Sequence, residues 1–292
     1  MTVDAHLHLC PRGVSSMPGG PLRRSVGYGF VDLEGSRVRY FPPSFYDSKF
    51  SPDMALAFMD WAEVGRAFLL QGAMYGPQNE EVAQAVWKWP ERFLGFATVD
   101  PRKGEGSARE LELWHRHGIR GLKVEVPGFP GMSMGGERER EVWAKCAELG
   151  IVLALHLDPS SPEATDGVRA VAEEFPEMDI IICHLGLPPK EGWKERALLA
   201  KLPNVYLGLS GLPALYSHKG YPYPGAKEAI RWTLEKVGPE KVLWGSDAPS
   251  ILTYCTYPQT LEFVSEVLDG RESELVLGGN ALSLWSRATR AS

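Results

Sequence analysis

Short apolar runs recur along the chain, each separated from the next by a longer amphipathic segment. The runs are mostly continuous rather than alternating in polarity, which is typical of parallel strands buried on both faces. They predict eight strands, at Val3–Leu9, Ala67–Gly72, Phe93–Val99, Gly118–Val126, Ile151–Leu157, Asp179–His184, Asn204–Leu209 and Lys241–Asp247.

The intervening segments carry apolar residues at helical spacing. Several begin at Ser, Asp or Pro and several end at Gly, as helix termini usually do. They predict eight helices, at Asp53–Val64, Glu80–Trp89, Ser107–His117, Glu137–Leu149, Pro162–Phe175, Lys194–Leu202, Ala226–Val237 and Pro258–Leu268. Strict alternation of strand and helix favours an α/β fold, a (β/α)8 TIM barrel, with a doubly wound open sheet as the alternative.

Two segments fall outside this alternation. Residues 10–51 form a long first connection rich in Gly, Pro, Arg and aromatic residues. Such connections in compact domains tend to be lids or binding loops, so we expect a lid-like insertion. Residues 270–292 follow the last predicted helix and are expected to cap the barrel. Since no linker divides the chain, residues 1–292 are expected to form a single domain.

Composition narrows the class of protein. The chain has 292 residues, of which 44% are hydrophobic and 23% charged, typical of a soluble globular domain. A net charge of −6 without a Lys- or Arg-rich run argues against nucleic-acid and membrane partners. The first residues lack a signal-peptide pattern, and the four cysteines include no C-x-x-C pair. We therefore expect a cytoplasmic protein with free thiols.

Candidate chemistry gathers at the predicted carboxyl ends of the strands. Residues two apart on a strand point to the same side, so His6 and His8 should face one cavity. Each signal alone has an ordinary explanation, since a His pair also occurs on plain strand faces and an Asp can cap a turn. In a barrel, however, the carboxyl ends converge on the face that holds active sites. The other residues at such ends are His156, His184 and Asp247.

Imidazole nitrogens together with a carboxylate oxygen suit a borderline divalent cation such as zinc. Three or four such ligands leave room for a water molecule whose pKa the metal lowers. The pattern therefore indicates a metal site among His6, His8, His156, His184 and Asp247.

At this point the sequence resembles the amidohydrolase superfamily, specifically its amidohydrolase-related (amidohydrolase 2) branch of metal-dependent barrel enzymes. The matching motifs run in the family's order over nearly the whole chain. They are Asp4-Ala5-His6-Leu7-His8, Gly121-Leu122-Lys123, Leu155-His156, Cys183-His184-Leu185-Gly186, Gly245-Ser246-Asp247-Ala248-Pro249 and Gly279-Asn280-Ala281.

The resemblance implies a (β/α)8 barrel with one divalent metal, usually Zn²⁺ and sometimes Mn²⁺. Carried over by position, His6, His8 and His156 would be ligands. Asp247 would bind the metal and handle a proton, while His184 would be the acid/base or electrophilic partner beside the bound water or substrate.

Lys123 raises the question of metal count. In other branches of the superfamily a carboxylated lysine on the fourth strand bridges two metals. Glu125 shares the face of Lys123 by alternation, so the two residues could supply a second metal site or contact substrate. The alternative, which we favour, is an ion pair lining the barrel mouth.

The resemblance implies a metal-dependent hydrolase, in which a metal-activated water attacks the carbonyl of an ester, lactone or amide in a small, carboxylated substrate. The alternative is a metal-dependent, non-oxidative decarboxylase of an aromatic or unsaturated carboxylate, which would use the same ligands. A non-catalytic metal-binding barrel is a third hypothesis, disfavoured because His184 and Asp247 are both present.

Substrate contacts are expected from residues near the strand ends and in the loops. An arginine can clamp a carboxylate, and polar or aromatic groups can orient the rest of a small molecule. The candidates are Arg12, Gln71, Asp158 and Tyr223. The expected partner is this small-molecule substrate, with a homodimer as the possible assembly.

Overall fold

The computed structural model describes residues 1–17, 20–160 and 162–290 of the chain. Its strands are β1 Thr2–His8, β2 Arg23–Gly27, β3 Phe30–Leu33, β4 Ser36–Arg39, β5 Val64–Leu70, β6 Phe93–Ala97, β7 Gly121–Glu125, β8 Val152–His156, β9 Ile180–Ile182, β10 Val205–Gly208 and β11 Val242–Leu243. Strands β1 and β5 to β11 form one eight-stranded sheet in chain order, and each neighbouring pair is parallel.

Helices alternate with these parallel strands. They are α1 Pro52–Trp61, α2 Asn79–Lys88, α3 Glu105–Arg116, α4 Glu137–Glu148, α5 Pro162–Glu174, α6 Trp193–Leu198, α7 Leu212–Leu215, α8 Pro224–Val237, α9 Tyr257–Ser265, α10 Gly270–Glu274 and α11 Asn280–Arg290. Each predicted strand and helix overlaps an observed one, and the (β/α)8 barrel is confirmed. Within the described ranges no helix is both long and apolar enough to cross a membrane.

The barrel is closed by backbone hydrogen bonds between β1 and residues 244–248, which follow β11. The Asp247 N–H donates to the His6 carbonyl (2.8 Å), and the His8 N–H donates back into this segment (2.9 Å). Gly245 permits the approach, because a Cβ there would lie 2.7 Å from the Cβ of His6. Closure therefore places Asp247 directly beside the two β1 histidines.

One end of the barrel interior is filled by apolar side chains. The last helix, α11, turns Leu284 and Trp285 toward this cluster, and the Trp285 ring lies 6.0 Å from the ring of Phe68. The other members from the strands include Val3, Ala5, Leu70, Leu94, Phe96, Val152, Ala154, Ile181 and Leu243. The polar residues of the barrel interior lie beyond this layer, toward the carboxyl ends of the strands.

The first connection contains a small antiparallel sheet, β2-β3-β4, that the sequence pattern does not predict. Its strands are short, and β2 and β4 are largely exposed, so they lack the apolar runs that reveal the barrel strands. Reciprocal backbone hydrogen bonds between Cys10 and Phe50 join the two ends of the connection. Movement of this segment as a lid stays a prediction.

Candidate metal centre

Three side chains meet at the carboxyl end of β1. The Nε2 atoms of His6 and His8 are 3.1 Å apart. Asp247 Oδ1 lies 3.1 Å from His8 Nε2 and 3.5 Å from His6 Nε2. Both histidines are buried. The histidines of the first strand and Asp247 thus form a close cluster of two ring nitrogens and a carboxylate oxygen.

The second ring nitrogens are held by the surrounding protein. His8 Nδ1 lies 2.8 Å from the Leu70 carbonyl, and His184 Nδ1 lies 3.1 Å from the Ser210 carbonyl. A carbonyl only accepts, so each Nδ1 donates its proton. The neutral rings then present the Nε2 lone pair, the arrangement that second-shell carbonyls impose on metal-binding histidines.

His184 and His156 complete the polar lining. His184 follows β9 in a turn of positive φ (55°). A ring nitrogen of His184, a ring nitrogen of His6 and a carboxylate oxygen of Asp247 all lie within 4.8 Å of one another. The His156 ring, at the end of β8, lies 4.9 Å from the His184 ring. The geometry thus places His184 beside His6 and Asp247, with His156 next to it.

Burial favours the neutral form of these imidazoles. Burial lowers the pKa of His156 to about 3 and that of His184 to about 4, and the charge of Lys123 acts in the same direction on both. Burial likewise lowers the pKa of His6. For Asp247, burial raises the pKa, but the contact with His8 and the nearby charge of Lys123 help to outweigh burial, and the pKa lies below its usual value. Neutral imidazoles beside an ionised carboxylate are the protonation states that a metal requires.

Lys123 lies inside the barrel and is 1% exposed. Its Nζ donates to Cys183 Sγ (3.3 Å). Within the described residues Lys123 forms no ion pair with Glu125 or with an aspartate, so the expected ion pair at the barrel mouth is corrected. Glu125 lies further along β7, in register with His156. The Lys123 charge instead acts on the histidines and on Asp247.

The donor set fits a divalent cation. Ligand atoms around a tetrahedral zinc, at bond lengths of about 2.0–2.2 Å, stand about 3.3–3.6 Å apart. The separations among His6, His8 and Asp247, from 3.1 to 3.5 Å, are close to that spacing. Nothing but a proton or a cation can relieve the contact between two lone pairs at 3.1 Å. The residues present therefore fit a metal.

Two of the predicted substrate contacts are engaged elsewhere. The Arg12 guanidinium pairs with Glu81 of α2 (2.6 Å) and is largely exposed. The Gln71 amide donates to Asn79 and to the Phe96 carbonyl, and its oxygen accepts from the Gln78 N–H. The hydrogen-bonding groups of Gln71 hold the loop after β5, and a contact of Gln71 with substrate stays a prediction.

The other two predicted contacts have local partners as well. Tyr223 is buried, and its hydroxyl donates to the Tyr254 carbonyl (2.9 Å), so it joins the start of α8 to the loop before α9. Its substrate role stays a prediction. Asp158 accepts from the backbone and hydroxyl of Ser160. It remains near enough to His156 to raise the pKa of that ring, consistent with a supporting position.

Further side chains line the site beside the predicted ligands. Ser210 Oγ lies 2.9 Å from His6 Nδ1 and 3.1 Å from His184 Nδ1, bridging two histidines from different strands. The Tyr75 ring packs 5.2 Å from the His8 ring, and Tyr40 of the first connection packs against Tyr75. Ser210 follows the end of a barrel strand, and that position indicates a site residue. The two tyrosines lie in loops, where no periodic pattern indicates which side chains reach the site.

Comparison with known proteins bears on the family of the chain. The family model described as amidohydrolase matches residues 3–287. A 4-sulfomuconolactone hydrolase from Rhizobium radiobacter is 26% identical over 201 residues. The aligned residues are 66% of this chain and 64% of that relative, so the chain spans less than two thirds of the length of the relative.

Two solved structures share the fold over 98% of this chain and 99% of their own. One is described as a probable 2-pyrone-4,6-dicarboxylic acid hydrolase from Acinetobacter baumannii with citric acid bound (TM-score 0.73, 19% identity). The other is an amidohydrolase from Burkholderia multivorans with bound zinc (TM-score 0.69, 16% identity).

Proposed function

Because this chain belongs to the amidohydrolase family, we propose that it is a metal-dependent hydrolase that opens the ester bond of a small, carboxylated lactone. The observation that carries the proposal is the cluster of His6, His8 and Asp247 at the carboxyl end of the barrel. The names of the relatives favour a lactone over an amide, since one acts on a sulfomuconolactone and another is described as acting on a pyrone dicarboxylic acid.

The proposed cofactor is one zinc ion. His6, His8 and Asp247 would hold it, with His156 or His184 as the further nitrogen ligand. When bound, such an ion lowers the pKa of a water molecule and polarises a carbonyl. A second ion is disfavoured because the buried Lys123 side chain places a positive charge among the same residues.

Asp247 is the residue proposed to move the proton. Its Oδ1 faces His6 and His8, while Oδ2 is directed toward Gly211 and is not committed to those rings. Oδ2 would accept the proton of the attacking water and return it to the leaving alkoxide oxygen of the opened lactone. A carboxylate whose pKa lies below its usual value is ionised at neutral pH and ready for this role.

His184 and Lys123 are proposed to hold the substrate. His184 presents Nε2 because its Nδ1 proton is donated to Ser210, so it can position a hydroxyl or a protonated oxygen. The Lys123 side chain is buried and its Nζ donates to the Cys183 thiol. A buried amino group beside the site favours an anionic group nearby, and the carboxylate or developing oxyanion of the substrate supplies one.

The test is to measure metal content and ring opening together. We expect close to one zinc per chain in the purified protein, and hydrolysis of carboxylated lactones that a chelator abolishes and added zinc restores. Carbon dioxide release from aromatic or unsaturated carboxylates, without lactone opening, would replace the hydrolase by the alternative decarboxylase. Protein that binds no stoichiometric divalent metal would overturn both.

A further inference from the structure

A fully buried carboxylate lies immediately behind the metal centre. Asp4 is 0% exposed, and all four of its hydrogen bonds come from groups that donate to it. Oδ1 accepts from the His6 N–H (3.0 Å) and the Ser246 N–H (2.8 Å), and Oδ2 accepts from the Ser246 hydroxyl (2.6 Å) and the Tyr257 hydroxyl (2.8 Å). The direction of the Ser246 hydroxyl is fixed, because its oxygen also accepts from the Ala248 N–H.

The two backbone donors belong to the two segments that carry the proposed ligands. One is His6 itself, and the other is Ser246, the residue before Asp247. The oxygen atom Oδ1 of Asp4 thus joins β1 to the closing segment at the point where their side chains converge. Tyr257 ties the same carboxylate to α9, outside the barrel.

A local irregularity of β1 makes this possible. The pairing of β1 with β5 shifts register between Asp4 and Leu7. Asp4 therefore points toward Tyr257 of α9 while His6 and His8 point into the barrel, although strict alternation would place all three on one face. The bulge separates a residue that binds the backbone from the residues that bind the ion.

We propose that Asp4, with Ser246 and Tyr257, is a positioning device that sets the spacing of His6 and Asp247 and thereby the affinity of the site for its cation. Four donated hydrogen bonds hold the Asp4 carboxyl group between β1, the closing segment and α9, so its position sets how closely the two segments that carry the ligands approach each other. This inference rests on the metal proposed above, and it concerns how the protein holds the ion.

Tyr257→Phe is the sharpest variant, because it removes one hydroxyl and leaves the ring packed. Thr233→Val is the matched control: it also removes one buried hydroxyl, which donates to the Ala229 carbonyl within α8. Asp4→Asn is the stronger perturbation, since an amide replaces one acceptor by a donor and removes the charge.

The measurement is zinc affinity by chelator competition, together with the visible absorption spectrum of the cobalt-substituted protein. We expect Tyr257→Phe to bind zinc about 10-fold more weakly and Asp4→Asn up to about 100-fold more weakly, the range usual for second-shell changes. The cobalt spectrum of both should shift. Thr233→Val should lower the melting temperature but keep the wild-type affinity and spectrum.

The outcomes separate the two proposals. If the wild-type protein binds no metal, the proposed function fails and this device with it. If the wild type binds zinc and Tyr257→Phe matches it in affinity and cobalt spectrum, only the positioning role is overturned. A loss of affinity in Thr233→Val equal to that in Tyr257→Phe would also overturn it, by reducing the effect to general destabilisation.

Discussion

At the scale of single residues, the site depends on backbone conformations that few side chains adopt. Asp247 has a φ of 70° and His184 a φ of 55°, values that cost energy for residues with a Cβ and that cluster at functional sites. The Asp247 backbone is held there by its hydrogen bond to the His6 carbonyl. The position of its carboxylate is therefore fixed by the closure of the barrel and not by side-chain packing alone.

Replacement of Asp247 by Asn tests its proton-transfer role. The amide keeps the shape of the side chain but cannot accept the proton of a water molecule, so we expect activity to fall by about 10²–10⁴-fold, the usual range for a general base. Asp60→Asn is the control, since the Asp60 side chain is 64% exposed on α1 and pairs with Arg92, so this variant should retain activity. The measurement is the rate of lactone opening, and near wild-type turnover by Asp247→Asn would refute the assignment.

Gly211 has no side chain and so leaves room for the side chains of His184 and Asp247. A Cβ at this position would lie 2.8 Å from His184 Nδ1 and 3.0 Å from Asp247 Oδ2. We expect Gly211→Ala to displace both groups and to lose metal affinity and activity. Gly220→Ala is a matched control, because Gly220 has a similar φ (+64° against +71°) but no atom within 4 Å of the added methyl.

Both glycine variants lose about 1 kcal/mol from the strained φ of alanine. Only Gly211→Ala should also lose bound zinc, as measured by chelator competition on folded protein. Equal zinc affinity in the two variants would contradict the prediction. It would show that His184 and Asp247 can move away from the added methyl group without weakening metal binding.

At the scale of elements, the sequence reveals the barrel strands because their buried faces leave continuous apolar runs. It fails for β2 and β4, whose exposed residues carry no such run. It also overestimates β11, which has two residues, because the segment that follows bonds to β1 through hydrogen bonds that do not form a regular ladder. The hydrophobic pattern therefore predicts where a buried strand lies, but it does not predict the backbone hydrogen bonds at the end of that strand.

The same limit explains which residues and contacts of the candidate site could be predicted from the sequence. His6, His8 and Asp247 could be predicted because strand ends converge in a barrel whatever the details. The partners of Gln71 and Tyr223 could not, since a polar residue at a strand or helix end serves a substrate or a neighbouring carbonyl with the same sequence signal. The link from Asp4 to Tyr257 spans the whole chain and requires a bulge that alternation does not indicate.

The packing of α11 into the barrel gives a prediction at this scale. Trp285 is 7% exposed and contacts Phe68 in the interior cluster. We expect Trp285→Ala to lower the free energy of unfolding by about 3–5 kcal/mol, as for other large buried aromatics. Zinc content should stay at the wild-type level, because the ligands lie at the opposite end of the strands.

Trp87→Ala provides the control for that measurement. Trp87 is 83% exposed on α2, so its removal should change stability by no more than about 0.5 kcal/mol. Urea unfolding followed by circular dichroism compares the two. A loss in Trp285→Ala as small as in Trp87→Ala would mean that α11 does not contribute to the core.

At the scale of the whole molecule, the buried histidines couple the stability of the metal-free fold to pH. His156 and His184 have folded pKa values of about 3 and about 4, against 6.5 for the unfolded chain. Between these values the unfolded state binds protons that the folded state excludes. Stability is therefore fully present above about pH 6.5 and falls as the pH decreases toward the folded pKa values.

We expect the free energy of unfolding of the metal-free protein to fall by on the order of 2 kcal/mol for each of these histidines between about pH 7 and about pH 5. Urea titrations at the two pH values measure this loss.

His156→Asn should remove its share of the pH dependence, because the asparagine does not titrate, while the contribution of His184 persists. Bound zinc should steepen the loss, since protons and metal compete for the same nitrogens. Equal stability at both pH values in the metal-free protein would mean that the rings accept protons without disturbing the fold, and the neutral, ligand-ready imidazoles described above would have to be abandoned.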